Sequence, residues 1–171
     1  MVEVSMNGNR FFIKKGLIGC LLVHGLTSST QEMEPLAEHL SNNNITVLAT
    51  LLAGHNTKPS HLKYTTWHDW YHSVRDDFLF LRTKCTKIYV VGSSIGAILA
   101  LQLASYYKMD GAICLAPAVF YHNKFIPLIH ILQYIKTYHQ KNYKKYYPHR
   151  KKPHFDLVDD TAHDMRKAYT K

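Results

Sequence analysis

Short apolar runs alternate with helix-like segments along residues 17–116, and this alternation limits the possible folds more than any other feature. The runs are brief, continuous and bounded by turn residues, as is typical of parallel strands that are buried on both faces. In chain order they are Leu17–Val23, Ile45–Ala49, Lys87–Val91 and Gly111–Ala116. The pattern predicts an α/β fold with a doubly wound, mostly parallel sheet and right-handed crossovers.

Helix-like segments lie between these predicted strands. Apolar residues recur three or four positions apart after residue 33, between residues 66 and 84, and after residue 97, as one face of a helix requires. We expect the middle segment to bury its whole apolar stripe. That stripe consists of Trp67, Trp70, Tyr71, Val74, Phe78 and Leu81.

The composition excludes several classes of protein. The chain has 171 residues, 46% hydrophobic and 19% charged, so neither a disordered nor a fibrous protein is expected. Apolar stretches stay shorter than the roughly 18 residues that a membrane span requires. Residues 1–16 mix charged and apolar side chains and show no secretory signal. We therefore expect a cytoplasmic protein without a transmembrane segment.

The cysteines and histidines do not indicate a metal site. Three cysteines, an odd number at wide spacing, favour reduced thiols in or near the core over disulfides. His68 and His72 have the spacing of a zinc-binding helix, but Asp69 stands where that motif has Glu. No third ligand can be named, so we predict neither a metal nor another cofactor.

The sequence Gly92-Ser93-Ser94-Ile95-Gly96 directly follows one predicted strand and directly precedes one predicted helix. Two residues without a Cβ allow a turn so tight that the strand and helix backbones meet, which presents Ser94 at the carboxyl end of the sheet. The amino end of the helix directs free N–H groups to the same place. We therefore predict that Ser94 is a nucleophile; the alternative is an ordinary strand-to-helix turn.

A second element of the predicted site follows the first long apolar run, which ends in His24-Gly25-Leu26. In a doubly wound sheet the carboxyl ends of parallel strands open on one side, so this loop is expected beside Ser94. The backbone N–H groups of Leu26 and Ile95 are the candidate oxyanion-hole donors. We expect His24 and Gly25 to support the loop, His24 through hydrogen bonds of its ring.

These motifs resemble the α/β-hydrolase superfamily, and within it the compact carboxylesterases and monoacylglycerol-lipase-like serine esterases. The matching segments keep the family's order and spacing over about residues 12–120. They are Leu21–Thr27, Leu51–His55, Trp67–Trp70, Val90–Ala97 and Ala116–Pro117. The resemblance implies hydrolysis of a small acyl ester through an acyl-enzyme on Ser94. It also implies a helical cap, so that residues 1–117 form the hydrolase core and residues 118–171 the cap region and a basic tail.

The family's triad acid and histidine have no clear match in the chain. The family orders its triad as Ser, then Asp or Glu, then His, with the last two after late strands. After Ala116 the sequence shows no apolar run of that kind, and Asp110 precedes its strand, on the opposite side of the sheet. Asp159 or Asp160 followed by His163 keeps the order, but this spacing fits one helical turn. We therefore expect a C-terminally truncated hydrolase that lacks the last two strands and has weak activity.

The alternative is a non-catalytic hydrolase-fold remnant that binds a partner through its sheet edge or basic tail. Loss of two neighbouring strands would leave Gly111–Ala116 as an exposed hydrophobic edge, which favours self-association. The net charge of +9 lies mainly in residues 122–171, which carry 11 Lys and Arg against 4 Asp and Glu. Without a recognition fold, this excess predicts salt-sensitive adsorption rather than specific nucleic-acid binding.

Overall fold

The computed structural model describes residues 8–119, which form one sheet of five strands flanked by helices. The strands are β1 Phe11–Ile13, β2 Ile18–Val23, β3 Thr46–Thr50, β4 Lys87–Ser93 and β5 Gly111–Leu115. Their order in the sheet is β1-β3-β2-β4-β5, with β2 to β5 parallel and β1 antiparallel to β3. The predicted α/β class with a mostly parallel sheet is confirmed. The short edge strand β1 is the one that the sequence did not indicate.

Within this range four α-helices connect the strands, and one turn of 3-10 helix, Thr30–Met33, leads into the first of them. The helices are α1 Glu34–Asn42, α2 Pro59–Leu62, α3 Trp67–Arg82 and α4 Ile95–Tyr106. α3 begins with a capping box, in which one Asp69 carboxylate oxygen accepts from the Thr66 amide and from the Thr66 hydroxyl, at 2.7 and 2.8 Å. The three helices predicted between the strands are therefore present as α1, α3 and α4.

Two apolar clusters hold the sheet between its helices. Leu21 and Val23 of β2 face the cluster that α3 and α4 cover, where Phe78 and Leu103 are fully buried. The alternate residue Leu22 faces the opposite cluster, which is covered by α1. Successive residues of a strand point to opposite faces, so β2 is buried on both sides, as its continuous apolar run predicts. β2 is also the central strand of the five-stranded sheet.

The predicted core stripe of α3 is wrong at its first residue. Val74, Phe78 and Leu81 are fully buried, but Trp67 exposes 48% of its surface. Its ring lies against His68, with the ring centroids 3.8 Å apart, in the first turn of the helix. Helical spacing predicts which residues lie on one face of a helix, but it does not predict where the sheet that covers this face ends.

The predicted cap region and basic tail lie outside the described residues, apart from residues 118 and 119. The division of the chain at residue 117 therefore stays a prediction. Among residues 8–119, no helix has the length and apolar character needed to cross a lipid bilayer.

Candidate active site

The turn between β4 and α4 holds Ser94 in an unusual backbone conformation. Its φ is 53° and its ψ is −113°, a combination that a residue with a Cβ adopts only under strain. The Ser94 amide donates to the Leu115 carbonyl at the end of β5, at 2.9 Å, and the Ser94 carbonyl accepts from the Ala97 amide, at 3.1 Å. Backbone hydrogen bonds on both sides therefore hold this residue between strand and helix.

Gly92 and Gly96 make the turn sterically possible. A Cβ on Gly92 would collide with backbone atoms of Gly96 and Ala97, and a Cβ on Gly96 would collide with the carbonyl oxygens of Val23 and His24. These obstacles are backbone atoms, which do not rotate away as the end of a side chain does. Both positions therefore require glycine, and the first turn of α4 lies directly against the end of β2.

The loop after β2 lies beside Ser94. β2 and β4 are neighbouring parallel strands with Val23 opposite Gly92, so the chain leaves both strands at the same edge of the sheet. A Cβ built on Gly25 would lie 3.5 Å from the Ser94 Cβ, which is an ordinary contact distance. The structure thus brings together the two segments from which the oxyanion hole is predicted.

The backbone amides of Leu26 and Ile95 have no hydrogen-bond acceptor among residues 8–119. Ile95 is the first residue of α4, where helix N–H groups lack an intrahelical partner. Leu26 follows Gly25, whose own amide already donates to Glu32 at 3.1 Å. Two free donors from the segments that meet at Ser94 have the character that an oxyanion hole requires, although their role stays a prediction.

His24 is buried and joins this loop to the residues after β3. Its Nε2 accepts a hydrogen bond from the Leu52 amide at 3.2 Å, and its Nδ1 donates to the Gly25 carbonyl at 2.8 Å. A ring nitrogen that accepts from an amide carries no proton, so His24 is the neutral Nδ1–H tautomer. Burial lowers the pKa of His24 to about 4, and the bond to the Gly25 carbonyl opposes this only in part. This arrangement suits loop support and leaves neither ring nitrogen for catalysis.

The rings of His24, His55 and Trp70 pack against one another in series. The His24 and His55 rings meet edge to face with centroids 5.0 Å apart, and His55 meets Trp70 in the same way at 5.7 Å. Trp70 is held in turn, because its Nε1 donates to the Thr65 hydroxyl at 3.0 Å. Burial also lowers the pKa of His55, so both rings are expected to be neutral at pH 7.

Glu32 is the residue of this region that sequence reasoning missed. It lies in the 3-10 turn three positions after Ser29, and this Ser-x-x-Glu spacing by itself suggests an ordinary helix cap. In the structure, Glu32 Oε2 accepts from the Gly25 amide at 3.1 Å and Oε1 from the Ser93 hydroxyl at 2.8 Å. Only the pairing of β2 with β4 brings these groups together, so no sequence pattern indicates the contact.

The described residues do not supply the rest of a triad. Within residues 8–119 the Ser94 hydroxyl has no hydrogen-bond partner. Asp110 lies at the opposite edge of the sheet, as predicted, because its carboxylate accepts from the Ile88 amide at the start of β4, at 2.7 Å. The other candidate acids and histidines, Asp159, Asp160 and His163 among them, lie outside the described residues. The part of the chain that the structure describes also holds no cluster of three or more metal-ligating side chains.

Comparisons with known proteins give a consistent picture. The family model described as "Serine aminopeptidase, S33" matches residues 18–169. A thermostable monoacylglycerol lipase of Bacillus sp. (strain H-257) is 39% identical over 97 residues, which are 57% of this chain and 39% of the lipase. A carboxylesterase of Bacillus subtilis (strain 168) is 26% identical over 137 residues, which are 80% of this chain and 54% of the esterase. The chain thus spans about half, or less, of the length of these curated relatives.

A solved structure from work on LipS and LipT, two metagenome-derived lipolytic enzymes, has the same fold. It aligns with a TM-score of 0.58 and 28% identity, over 64% of this chain and 46% of that chain. The α/β-hydrolase architecture predicted from the sequence is therefore confirmed at the level of the fold.

Proposed function

Because the chain belongs to the S33 serine aminopeptidase family of α/β hydrolases, we propose that it is a serine carboxylic-ester hydrolase with Ser94 as its nucleophile. The observation that carries the proposal is the strained Ser94, with φ 53°, between two glycines at the junction of β4 and α4. The proposed substrate is a small acyl ester. Its support is the naming of two relatives as a monoacylglycerol lipase and a carboxylesterase.

The proposed reaction is an acyl transfer in two stages. The Ser94 oxygen attacks the ester carbonyl carbon while a general base takes the hydroxyl proton, and the carbonyl oxygen becomes an oxyanion that the Leu26 and Ile95 amides stabilise. Collapse of this intermediate expels the alcohol, which receives the proton, and leaves Ser94 acylated. Water then attacks the acyl carbonyl carbon, which releases the carboxylic acid and restores the serine.

The general base and its acid are not assigned to any residue. Their contribution is large, because serine hydrolases that lack a triad member keep only about 10³- to 10⁴-fold catalysis over water. What supports the first half of the mechanism is local: Ser94 is held at the carboxyl edge of the sheet, and two free backbone donors come from the segments that meet there. The turn that carries Ser94 and the two amide donors can therefore be tested apart from full turnover.

A fluorophosphonate probe tests the nucleophile directly, because it phosphonylates an activated serine. We expect the wild-type chain to be labelled and Ser94→Ala to lose the label completely. The matched control is Ser105→Ala, since the Ser105 hydroxyl lies exposed on α4 and donates to the Gln102 carbonyl of the same helix, at 2.7 Å. This control should be labelled like the wild type. Equal labelling of Ser94→Ala and wild type would remove Ser94 from the proposed role.

The second candidate is a non-catalytic remnant that associates with itself through its sheet edge. Among the described strands β5 pairs only with β4, and its side chains Ile113 and Leu115 are 51% and 47% exposed. An open apolar edge of this kind favours strand addition from a second copy. The same labelling experiment separates the candidates: an unlabelled wild type that forms a concentration-dependent oligomer in sedimentation would favour the remnant.

We also propose a cytoplasmic location. Its support is the state of the three cysteines, Cys20, Cys85 and Cys114, which are all free thiols, as is usual in a reducing compartment. Burial raises the pKa of the Cys20 thiol to about 12, which leaves it protonated and unreactive. Fractionation of cells that express a tagged chain tests this location.

A further inference from the structure

We propose that Glu32 is a positioning residue whose carboxylate ties the loop that carries the Leu26 amide to the turn that carries Ser94, and so helps to set the geometry of the oxyanion hole. The inference deepens the proposed function and rests on it, since an oxyanion hole acts only if Ser94 is the nucleophile. In this role Glu32 acts through Gly25 and Ser93, and not through its own contact with the substrate.

The two hydrogen bonds of Glu32 end on the residues directly before the reacting groups. Oε2 accepts from the amide of Gly25, the residue before Leu26, at 3.1 Å. Oε1 accepts from the hydroxyl of Ser93, the residue before Ser94, at 2.8 Å. One rigid carboxylate thus joins the loop that carries one oxyanion donor to the turn that carries the nucleophile.

Glu32 and His24 together fix both peptide planes that flank the Gly25 Cα. Glu32 holds the first plane through the Gly25 amide. His24 holds the second plane through the Gly25 carbonyl, at 2.8 Å, and the Ser28 amide donates to the same carbonyl at 3.3 Å. The Gly25 carbonyl and the Leu26 N–H belong to one planar trans peptide, so they point in opposite directions. Because His24 and Ser28 fix the direction of the Gly25 carbonyl, they also fix the opposite direction of the Leu26 N–H.

Electrostatics also favours a positional role over a catalytic one. A carboxylate close to a developing oxyanion repels it, and this repulsion is stronger in a partly buried site than in water. Glu32 is thus a poor choice for stabilising the transition state through its charge, and its value lies in accepting two hydrogen bonds at once. A neutral side chain of the same shape should perform the same task.

The test compares Glu32→Ala with Glu32→Gln in the full chain. Gln keeps one carbonyl oxygen for the Gly25 amide, and its NH₂ group can donate to the Ser93 hydroxyl, which accepts as well as it donates. We expect the second-order rate of fluorophosphonate labelling to fall about 10- to 100-fold in Glu32→Ala. Displacing an oxyanion-hole donor should slow the reaction almost as much as removing that donor. Glu32→Gln should stay within about threefold of the wild type. Glu38→Ala, an exposed residue of α1, is the matched control and should be unchanged.

A double-mutant cycle tests whether Ser93 acts through the same bridge. Ser93→Ala alone should slow labelling by about threefold, and it should add nothing further to Glu32→Ala, because the partner is already absent. Where turnover of a p-nitrophenyl ester is measurable, the loss should fall on kcat and leave KM unchanged. Additive effects of the two substitutions, or a loss confined to KM, would overturn the proposal.

Hydrogen exchange of the Gly25 amide, followed by NMR, does not depend on catalysis. We expect exchange at least tenfold faster in Glu32→Ala, with the β2 amides unchanged, whereas unchanged exchange at Gly25 would overturn the proposal. If Glu32→Ala does not fold, Ser93→Ala still tests the bridge, because unchanged labelling in that variant would overturn the proposal. The two failures are also distinct: an unlabelled wild type defeats the proposed function, and equal labelling of wild type and Glu32→Ala defeats only the role of Glu32.

Discussion

The two segments that meet at Ser94 are held in place by different means. The turn after β4 is fixed by its backbone, since Gly92 and Gly96 lie against main-chain atoms and the Ser94 amide is bonded to β5. The loop after β2 is fixed by side chains, since His24 and Glu32 hold the two peptide planes of its glycine. The candidate nucleophile therefore depends on close backbone packing, and the candidate oxyanion donor depends on polar side chains.

This difference predicts different responses to change. A steric contact between backbones tolerates no added atom and does not depend on pH. Hydrogen bonds that polar side chains make can be weakened one at a time, and those of an imidazole respond to protonation. Substitutions in the turn should therefore affect folding itself, whereas substitutions in the loop should affect geometry and pH dependence.

The largest effect should come from Gly96→Ala. The added Cβ would collide with the carbonyl oxygens of Val23 and His24, which belong to the central strand and the loop after it. We expect a loss of about 3 kcal/mol or more in the free energy of unfolding, measured with urea, because backbone must move to make room.

The control for this substitution is Gly111→Ala in the edge strand β5. There a Cβ would meet only ring carbons of Tyr89, at 3.0 and 3.2 Å, and that side chain can shift. We expect a cost below about 1 kcal/mol. If both variants unfold at the same urea concentration, the tight packing of α4 against β2 is not what fixes the turn.

The loop should respond to pH through His24. Burial lowers the pKa of His24 from its ordinary 6.5 to about 4, so the unfolded chain takes up a proton first as the pH falls. The contribution of neutral His24 to stability is then fully present above pH 6.5 and is lost progressively as the pH falls to about 4. The expected loss between pH 7 and pH 5 is about 2 kcal/mol. Burial also lowers the pKa of His55, which adds to the loss in the same direction.

Urea unfolding of the wild type and of His24→Asn at pH 7 and pH 5 measures this contribution of His24 to stability. Asn does not titrate in this range, so the fall in stability between the two pH values should be smaller in the variant by about 2 kcal/mol. The comparison uses the difference between pH values because the substitution also removes a loop hydrogen bond. Equal slopes would mean that His24 does not carry the pH dependence of the loop.

The same contrast explains which features the sequence could predict. Gly92, Ser94 and Gly96 form a local pattern, and the strands beside them are continuous apolar runs, so both are visible in a single sequence. The 3-10 turn is also local, but the contact of Glu32 with Ser93 spans 61 positions and depends on which strands pair. Sequence periodicity could not supply that pairing.

Two smaller errors have the same origin. Strand β1 has only three residues and is held by pairing with β3, so its own sequence carries a weak signal. Trp67 follows the helical spacing of α3 but lies beyond the buried part of its face. In both cases tertiary context, and not the local sequence pattern, decides the outcome.

The smallest effect should reveal the strain that the turn stores at Ser94. With φ 53° and ψ −113°, Ser94 has a conformation close to that of the first central residue of a type II′ turn, where glycine is favoured. The strain of such a residue is about 1 to 3 kcal/mol, and the greater entropy that glycine loses on folding offsets about 0.5 to 1 kcal/mol. Ser94→Gly should therefore be about 1 kcal/mol more stable than the wild type in urea unfolding.

The control is Ser94→Ala, which keeps a Cβ and the strain, so its stability should match that of the wild type. Both variants lose the Ser94 hydroxyl and so cannot be labelled by the fluorophosphonate probe, which makes them a matched pair. A Ser94→Gly variant no more stable than Ser94→Ala would show that the backbone fixes the nucleophile without strain, and the contrast with the loop would then rest on steric packing alone.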